Sequence, residues 1–249
     1  MARAVSSCLL EWDSRFLGLP VGRITDAVVS DSDLATALED QRARGIALVY
    51  WAASAEPGAD LVRRFGGRLV DRKITWTCDL ASLDVEAGAT AVVQPYAPWM
   101  PTAALEDLAV QSAAFSRFRV DPHMPAWAAD ALYRTWMRRA LAADLADIVL
   151  VACEATRIAG VVTVGEAGGD AAVGLLAVDA GARGRGHGQA LVAAAQRWAH
   201  LGGNPTLRVV TQAANLPACR LYERCGFRVA TIVCFYHFWL RPSPASRNA

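Results

Sequence analysis

At 249 residues, with 54% hydrophobic and 20% charged side chains, the chain has apolar surface for one large or two small folded domains and no compositional case for disorder. A net charge of +1 excludes broad polyanion binding, so nucleic acid is not expected as a partner and any anion site has to be local. The amino terminus, residues 1–13, meets charge too early for a signal peptide to be expected, and the longest apolar run, residues 229–240, is too short to span a bilayer. The six Cys and four His show neither Cys-x-x-Cys nor metal-ligand spacing. A cytoplasmic protein with no membrane partner, no metal and mostly buried thiols is expected.

The amino-terminal part alternates short apolar strands with helices. Residues 8–12 and 21–25 read as extended, and Asp31-Ser32-Asp33 opens a helix that runs to about Arg44 and stops at Gly45. Residues 46–51 form a strand, 56–65 a helix closed by Gly66-Gly67, and 68–80 a further extended piece. No phosphate loop and no cluster of titratable residues stands out here. Residues 81–90, small and polar, have the composition of a linker. Residues 1–88 are therefore expected to form a smaller αβ domain that shapes the acceptor side or is purely structural. Residues 89–240 are expected to form a second domain, and 241–249 a disordered tail.

The second domain opens with a strand at 91–95 and a helix at 101–115 that puts Leu105, Leu108 and Ala109 on one face. A loop over 116–125 leads into a helix at 126–142, and three strands follow at 148–153, 158–165 and 171–178, an antiparallel meander. Then comes Arg183-Gly184-Arg185-Gly186-His187-Gly188, opening a helix over 189–200. Glycines let the backbone approach an anion, the free N–H groups of a first helical turn point at it, and two arginines add full charge. A mononucleotide loop would need Lys-Ser/Thr after its glycines, and a dinucleotide loop an acidic residue about twenty positions on. Gly202-Gly203-Asn204-Pro205 supplies none.

The hexapeptide fits Arg/Gln-x-x-Gly-x-Gly/Ala, five residues after the strand-ending Val178. After a strand at 206–212 comes Asn215-x-x-Ala218-x-x-x-Tyr222-x-x-x-Gly226-Phe227. Together these resemble the cofactor site of the GNAT N-acyltransferases. The resemblance implies an α/β GNAT fold, a mixed, mostly antiparallel central sheet flanked by helices, with acetyl-CoA as co-substrate. It implies that Leu176, Ala177 and Val178 pair with pantetheine and that Arg183, Gly184, Arg185, Gly186, His187 and Gly188 hold the pyrophosphate. Asn215 would cap its helix and meet the pantetheine arm, and Tyr222 would be the general acid for the departing thiolate, its reference pKa of about 10 keeping it protonated. The carboxylate many relatives carry six residues before the strand-ending Val is here Ala172, while Glu166 and Asp170 fall in a Gly-rich turn. No chemical role follows for His123 or His187.

A narrower similarity, over Trp12-Asp-x-x-Phe-Leu-Gly18, Ala114-Phe-Ser-Arg-Phe-Arg119, Tyr133-x-x-Trp136 and residues 206–212, points to the bacterial dTDP-fucosamine N-acetyltransferases. It implies a sugar-nucleotide amine as acceptor, with Arg117 and Arg119 for its diphosphate and Phe118 for thymine. Another amine (a small molecule, amino acid, antibiotic precursor or protein N-terminus) and a non-catalytic acyl-CoA-binding module stay open, as does a homodimer.

Overall fold

The structure, a computed structural model, describes residues 5–81 and 93–241. The described residues gather into two compact units that interleave along the sequence: residues 5–73, 116–128 and 232–241 belong to one, and residues 74–81, 93–115 and 129–231 to the other. The boundary expected at 88/89, most of the linker around it, and the tail from 242 onward lie outside the described residues.

In chain order the elements are β1 (Ser7–Leu9), α1 (Glu11–Leu17), β2 (Val21–Ile24), α2 (Asp31–Ala43), β3 (Leu48–Ala53), α3 (Ala59–Arg64) and β4 (Gly67–Asp79). There follow β5 (Val93–Pro95), α4 (Thr102–Ser112), α5 (Arg117–Val120), α6 (Ala128–Leu141), β6 (Ile148–Glu154), β7 (Arg157–Ala167) and β8 (Asp170–Val178). The last are α7 (His187–Leu201), β9 (Thr206–Gln212), α8 (Leu216–Arg224) and β10 (Arg228–Trp239). This is the expected mixed α/β fold with a mostly antiparallel sheet. Among the described residues no helix is long and apolar enough to cross a membrane.

In the first unit β1 pairs antiparallel with β2, β2 parallel with β3, and β3 antiparallel with residues 234–239 of β10. Helix α2 starts where Ser30 Oγ accepts from Asp33 N at 3.2 Å, and Asp31 and Asp33 face the positive end of its dipole. It turns Leu34 and Leu38 into a core with Trp51, Phe65 and Phe238. Each such side chain contributes roughly 1.5–3 kcal/mol on burial. Two helical turns differ from expectation. Residues 11–17 are helical because Ser14 Oγ bridges Leu10 O and Val21 N while Gly18 closes the turn in the left-handed region at φ 69°. The loop expected at 116–125 contains α5, capped by Ser116 Oγ accepting from Phe118 N at 3.3 Å. All six cysteines are free and only Cys78 is buried, against the expectation of mostly buried thiols.

In the second unit β5, β6, β7 and β8 pair antiparallel in sequence order, and β9 joins β8 in parallel. Helix α7 packs on this sheet through Leu191, Val192, Ala195 and Ala199, which meet Val162, Val164 and Leu207. That apolar stripe at i, i+1, i+4 and i+8 fixes where the amino-terminal end of α7 comes to rest.

Candidate active site

Strands β8 and β9 pair only from Ala171↔Leu207 to Val173↔Val209, yet β8 runs on to Val178 and β9 to Gln212. The cause sits on the other edge of β8. Thr163 pairs with Leu175 and Val164 with Val173, so Gly174 is an extra residue, and Leu175 N donates to the buried Thr163 Oγ1 at 2.9 Å. A Cβ at Gly174 would stand 2.9 Å from that hydroxyl, which favours glycine in this bulge. A bulge bends its strand. Beyond it the two parallel strands border a cleft of about 510 Å³, lined by residues 173–178, 209–212, Asn215 and Tyr222.

The loop after β8 is shaped by its own hydrogen bonds. Asp179 Oδ1 accepts from Gly181 N at 3.0 Å and from Arg157 Nη2 at 2.9 Å, while Gln111 Oε1 accepts from Ala180 N at 3.0 Å. Arg183 Nε turns back to Val178 O at 3.1 Å. Gly184 and Gly186 take φ of 78° and 85°, and Gly186 caps α7 with no side chain to occupy its first N–H groups. Those donors border the cleft together with Arg183, Gly184, His187 and Gly188. An anion is what they can hold.

Arg185 does otherwise than expected. It does not line the cleft, and its half-exposed side chain is held by Glu154, with Nη1 3.0 Å from Oε2. Glu154 also meets His187, Nε2 to Oε1 at 2.7 Å across 33 residues of sequence. These bonds, His187 first and then Arg185, hold the Glu154 carboxyl below the usual carboxylate range. His187 is only 5% exposed, and its Nδ1 is buried without a hydrogen-bond partner among the described residues. A partner 33 positions away in sequence carries no local signal.

Tyr222 is 4% exposed, its ring centred 6.4 Å from Trp76 and 5.7 Å from Phe227. Burial pushes its hydroxyl well above the usual phenol range, so it is protonated at neutral pH. Asn215 caps α8 as expected: Oδ1 accepts from Ala218 N at 3.4 Å and Nδ2 donates to Thr211 Oγ1 at 3.3 Å. Neither Glu166 nor Asp170 borders the cleft; Asp170 is bound to Thr206 Oγ1 at 2.7 Å. Two lining residues that sequence reasoning left without a role are Tyr133 and Trp136 on α6, ring centroids 5.0 Å apart. Two aromatic residues at i and i+3 on a predicted helix, Tyr133 and Trp136, were the available signal.

Arg117, Phe118 and Arg119 are not among the lining residues. Phe118 is 6% exposed and packs edge-on to Tyr50 in the first unit, so the expected thymine stacking is not available to it. Arg117 lies with its Cζ 4.0 Å from the ring centre of Tyr50, 4.4 Å from Phe118 and 4.6 Å from Phe235. Its Nη1 meets His237 Nε2 at 2.9 Å, and His237 Nδ1 meets Asp121 Oδ2 at 2.6 Å. Burial pushes His237 down to about 4, against the pull of Asp121, so the ring is neutral, donates from Nδ1 and accepts from Arg117 at Nε2. Burial alone would raise Asp121, but the hydrogen bonds from His237 and Trp239 bring it down to about 2.

The Acetyltransferase (GNAT) family model matches residues 112–227. The chain is 29% identical over 240 residues to a dTDP-fucosamine acetyltransferase of Escherichia coli O6:H1, covering 93% of this chain and 95% of that one. Among solved structures it is similar to a GCN5-related N-acetyltransferase from Sphaerobacter thermophilus, with TM-score 0.62 and 18% identity over 96% of this chain and 78% of that one. A GCN5-related N-acetyltransferase from Kribbella flavida gives TM-score 0.57 and 17% identity over 95% and 88% of the two chains.

Proposed function

We propose that this chain is an acetyl-CoA-dependent N-acetyltransferase whose acceptor is the amine of a nucleotide-linked amino sugar of the dTDP-4-amino-4,6-dideoxyhexose type, a reading supported by the match of residues 112–227 to the GNAT family. The observation that carries the acceptor is the similarity to the E. coli dTDP-fucosamine acetyltransferase over 93% of this chain.

In this reading the uncapped first turn of α7 and the loop with Arg183, Gly184, Gly186, His187 and Gly188 hold the cofactor's pyrophosphate. The β8 edge at Leu176, Ala177 and Val178 pairs with pantetheine. Asn215 works by holding the start of α8, which carries Tyr222. Leu175 N is taken by Thr163, so the amide that polarises the thioester carbonyl is that of its neighbour in the bulge, Gly174 or Leu176. The acceptor lies against Tyr133 and Trp136, whose ring faces suit a sugar or a base.

The amine nitrogen attacks the thioester carbon and loses its proton to water, because the strand position for a carboxylate is Ala172. An amine near the α-amino reference of about 8 is already partly neutral at pH 7. The C–S bond then breaks, and the sulfur takes the hydroxyl proton of Tyr222, which regains one from solvent. Deep burial suits that role, since it keeps the phenol neutral until negative charge develops on sulfur.

The test is release of coenzyme A thiol from acetyl-CoA with a panel of amines. A dTDP-4-amino-4,6-dideoxyhexose is expected to be turned over far faster than amino acids, peptides or free aminoglycosides. Failure of every dTDP-amino sugar alongside turnover of another amine would refute the acceptor class.

A further inference from the structure

The first unit presses two positive charges against one ring. Arg117 Cζ lies 4.6 Å and Lys73 Nζ 4.8 Å from the centre of Phe235. Among the described residues neither makes an ion pair with a carboxylate, although Asp13 and Asp71 are close enough to act on them through space. Arg117 spends one donor on the neutral His237, lies beside the Tyr50 hydroxyl, and holds its guanidinium among the rings of Tyr50, Phe118 and Phe235. Beside them Asp71 Oδ2 is buried without a hydrogen-bond partner among the described residues, and the buried Tyr50 hydroxyl has only the Arg117 guanidinium beside it, which leaves its proton to donate. Like charges in a poorly solvated place repel, and buried polar atoms without partners are costly. A fold that needed only packing here would be better served by a leucine than by Lys73.

We infer that Lys73, Arg117 and the Tyr50 hydroxyl form an oxyanion site in the first unit, which takes a phosphate or diphosphate group carrying two or more negative charges. The guanidinium offers a planar fork, the ammonium a point charge and the phenol a neutral donor, three kinds of group that phosphate oxygens accept together. The Asp121–His237 pair acts as a positioning device: it fixes the His237 tautomer, and Nε2 then holds the guanidinium in place. The site stands on these side chains and does not depend on which amine is acetylated.

The charges around Lys73 come from several elements, and they set the pH dependence. Burial first, and Arg117 second, push the Lys73 ammonium down to about 8, with Asp71 opposing and Arg23 adding to the fall. Burial likewise holds the Asp71 carboxyl up at about 6, with Lys73 and Arg117 pulling the other way. Asp13 acts on Arg117 and Tyr50, and His237 is neutral above about 4. Binding of an anion favours protonated Lys73 and protonated Asp71, so affinity rises as pH falls from 9 through 8 to 6, with uptake of a proton near pH 8.

The experiment is calorimetry of inorganic pyrophosphate into the full chain already saturated with coenzyme A, so that the loop before α7 is occupied. One pyrophosphate per chain is expected. Lys73→Met, which keeps the stem over Phe235, should weaken it about ten- to a hundredfold, as loss of a charge-assisted contact does. Asp71→Asn, which removes the opposing carboxylate, should tighten it several-fold. Heats compared in buffers of different ionisation enthalpy at pH 8 should show proton uptake. A dTDP arm tells the source: tighter binding than pyrophosphate means a nucleotide is held, equal binding the free ion. No binding with coenzyme A present, or an affinity unmoved by both Lys73→Met and Asp71→Asn, overturns the site. Arg117→Gln is confirmatory only where its melting temperature matches that of the wild type.

Discussion

Two places among the described residues that suit an anion are built in opposite ways. Before α7 the donors are backbone N–H groups, exposed because Gly186 is the cap and the chain turns through two positive φ angles. In the first unit the donors are side chains, Arg117 and Lys73, held by ring faces and by a histidine pinned to a carboxylate. A backbone site costs little to keep empty, since water can solvate the N–H groups at its rim. A side-chain site sunk among aromatics carries desolvated charge whether or not it is filled, and it shows that burden in its titration. The charges beside the backbone site show the same division: Arg185 is paired with Glu154, while Arg183 borders the cleft beside the amides.

If chemistry in the cleft depends on one neutral phenol and binding on the backbone, the largest effect comes from Tyr222→Phe. It should lower kcat by about 10²–10⁴-fold and leave acetyl-CoA affinity and melting temperature close to wild type. A stable variant turning over at the wild-type rate would remove Tyr222 from proton transfer. Next is Gly186→Asp, which places a carboxylate and a side chain at φ 85° where amides meet phosphate. Acetyl-CoA affinity measured by calorimetry should drop by about a hundredfold or more, from charge repulsion and the lost amide geometry together. Unchanged affinity in a folded protein would mean that the loop holds nothing.

The first unit should instead reveal itself in stability against pH. His237 is pushed from the ordinary 6.5 to about 4, so between those values the unfolded chain binds more protons than the folded one. Stability is therefore lost as pH falls from 6.5 towards 4. Asp71, held up near 6, works in the opposite sense between about 4 and 6 in any variant that keeps it. His237→Gln should flatten the acid limb of the melting curve relative to wild type, and identical limbs would contradict a neutral buried ring. The smallest effect is expected from Arg185→Ala. An exposed ion pair contributes little, so acetyl-CoA affinity should change by less than about fivefold. A drop as large as that of Gly186→Asp would erase the distinction between backbone and side-chain sites.

The sequence by itself determined the parts of this protein whose geometry is local. The glycine turn at residues 183–188 and the helix start at Asn215 could be read because a glycine-rich turn and a capped helix are set by φ angles and hydrogen bonds within a few residues. The strands of the meander showed in their apolar runs for the same reason. Only the tertiary structure decided the rest. Glu154 meets His187 across 33 positions, and Arg117 meets His237 across 120, because strand pairing and helix packing bring them together. The same packing turned Phe118 inward, made Arg185 an ion-pair partner and placed Gly174 at the bulge that lets β8 and β9 part. Charge and residue type state what a side chain can do, but burial and register choose its partner, and both belong to the folded whole.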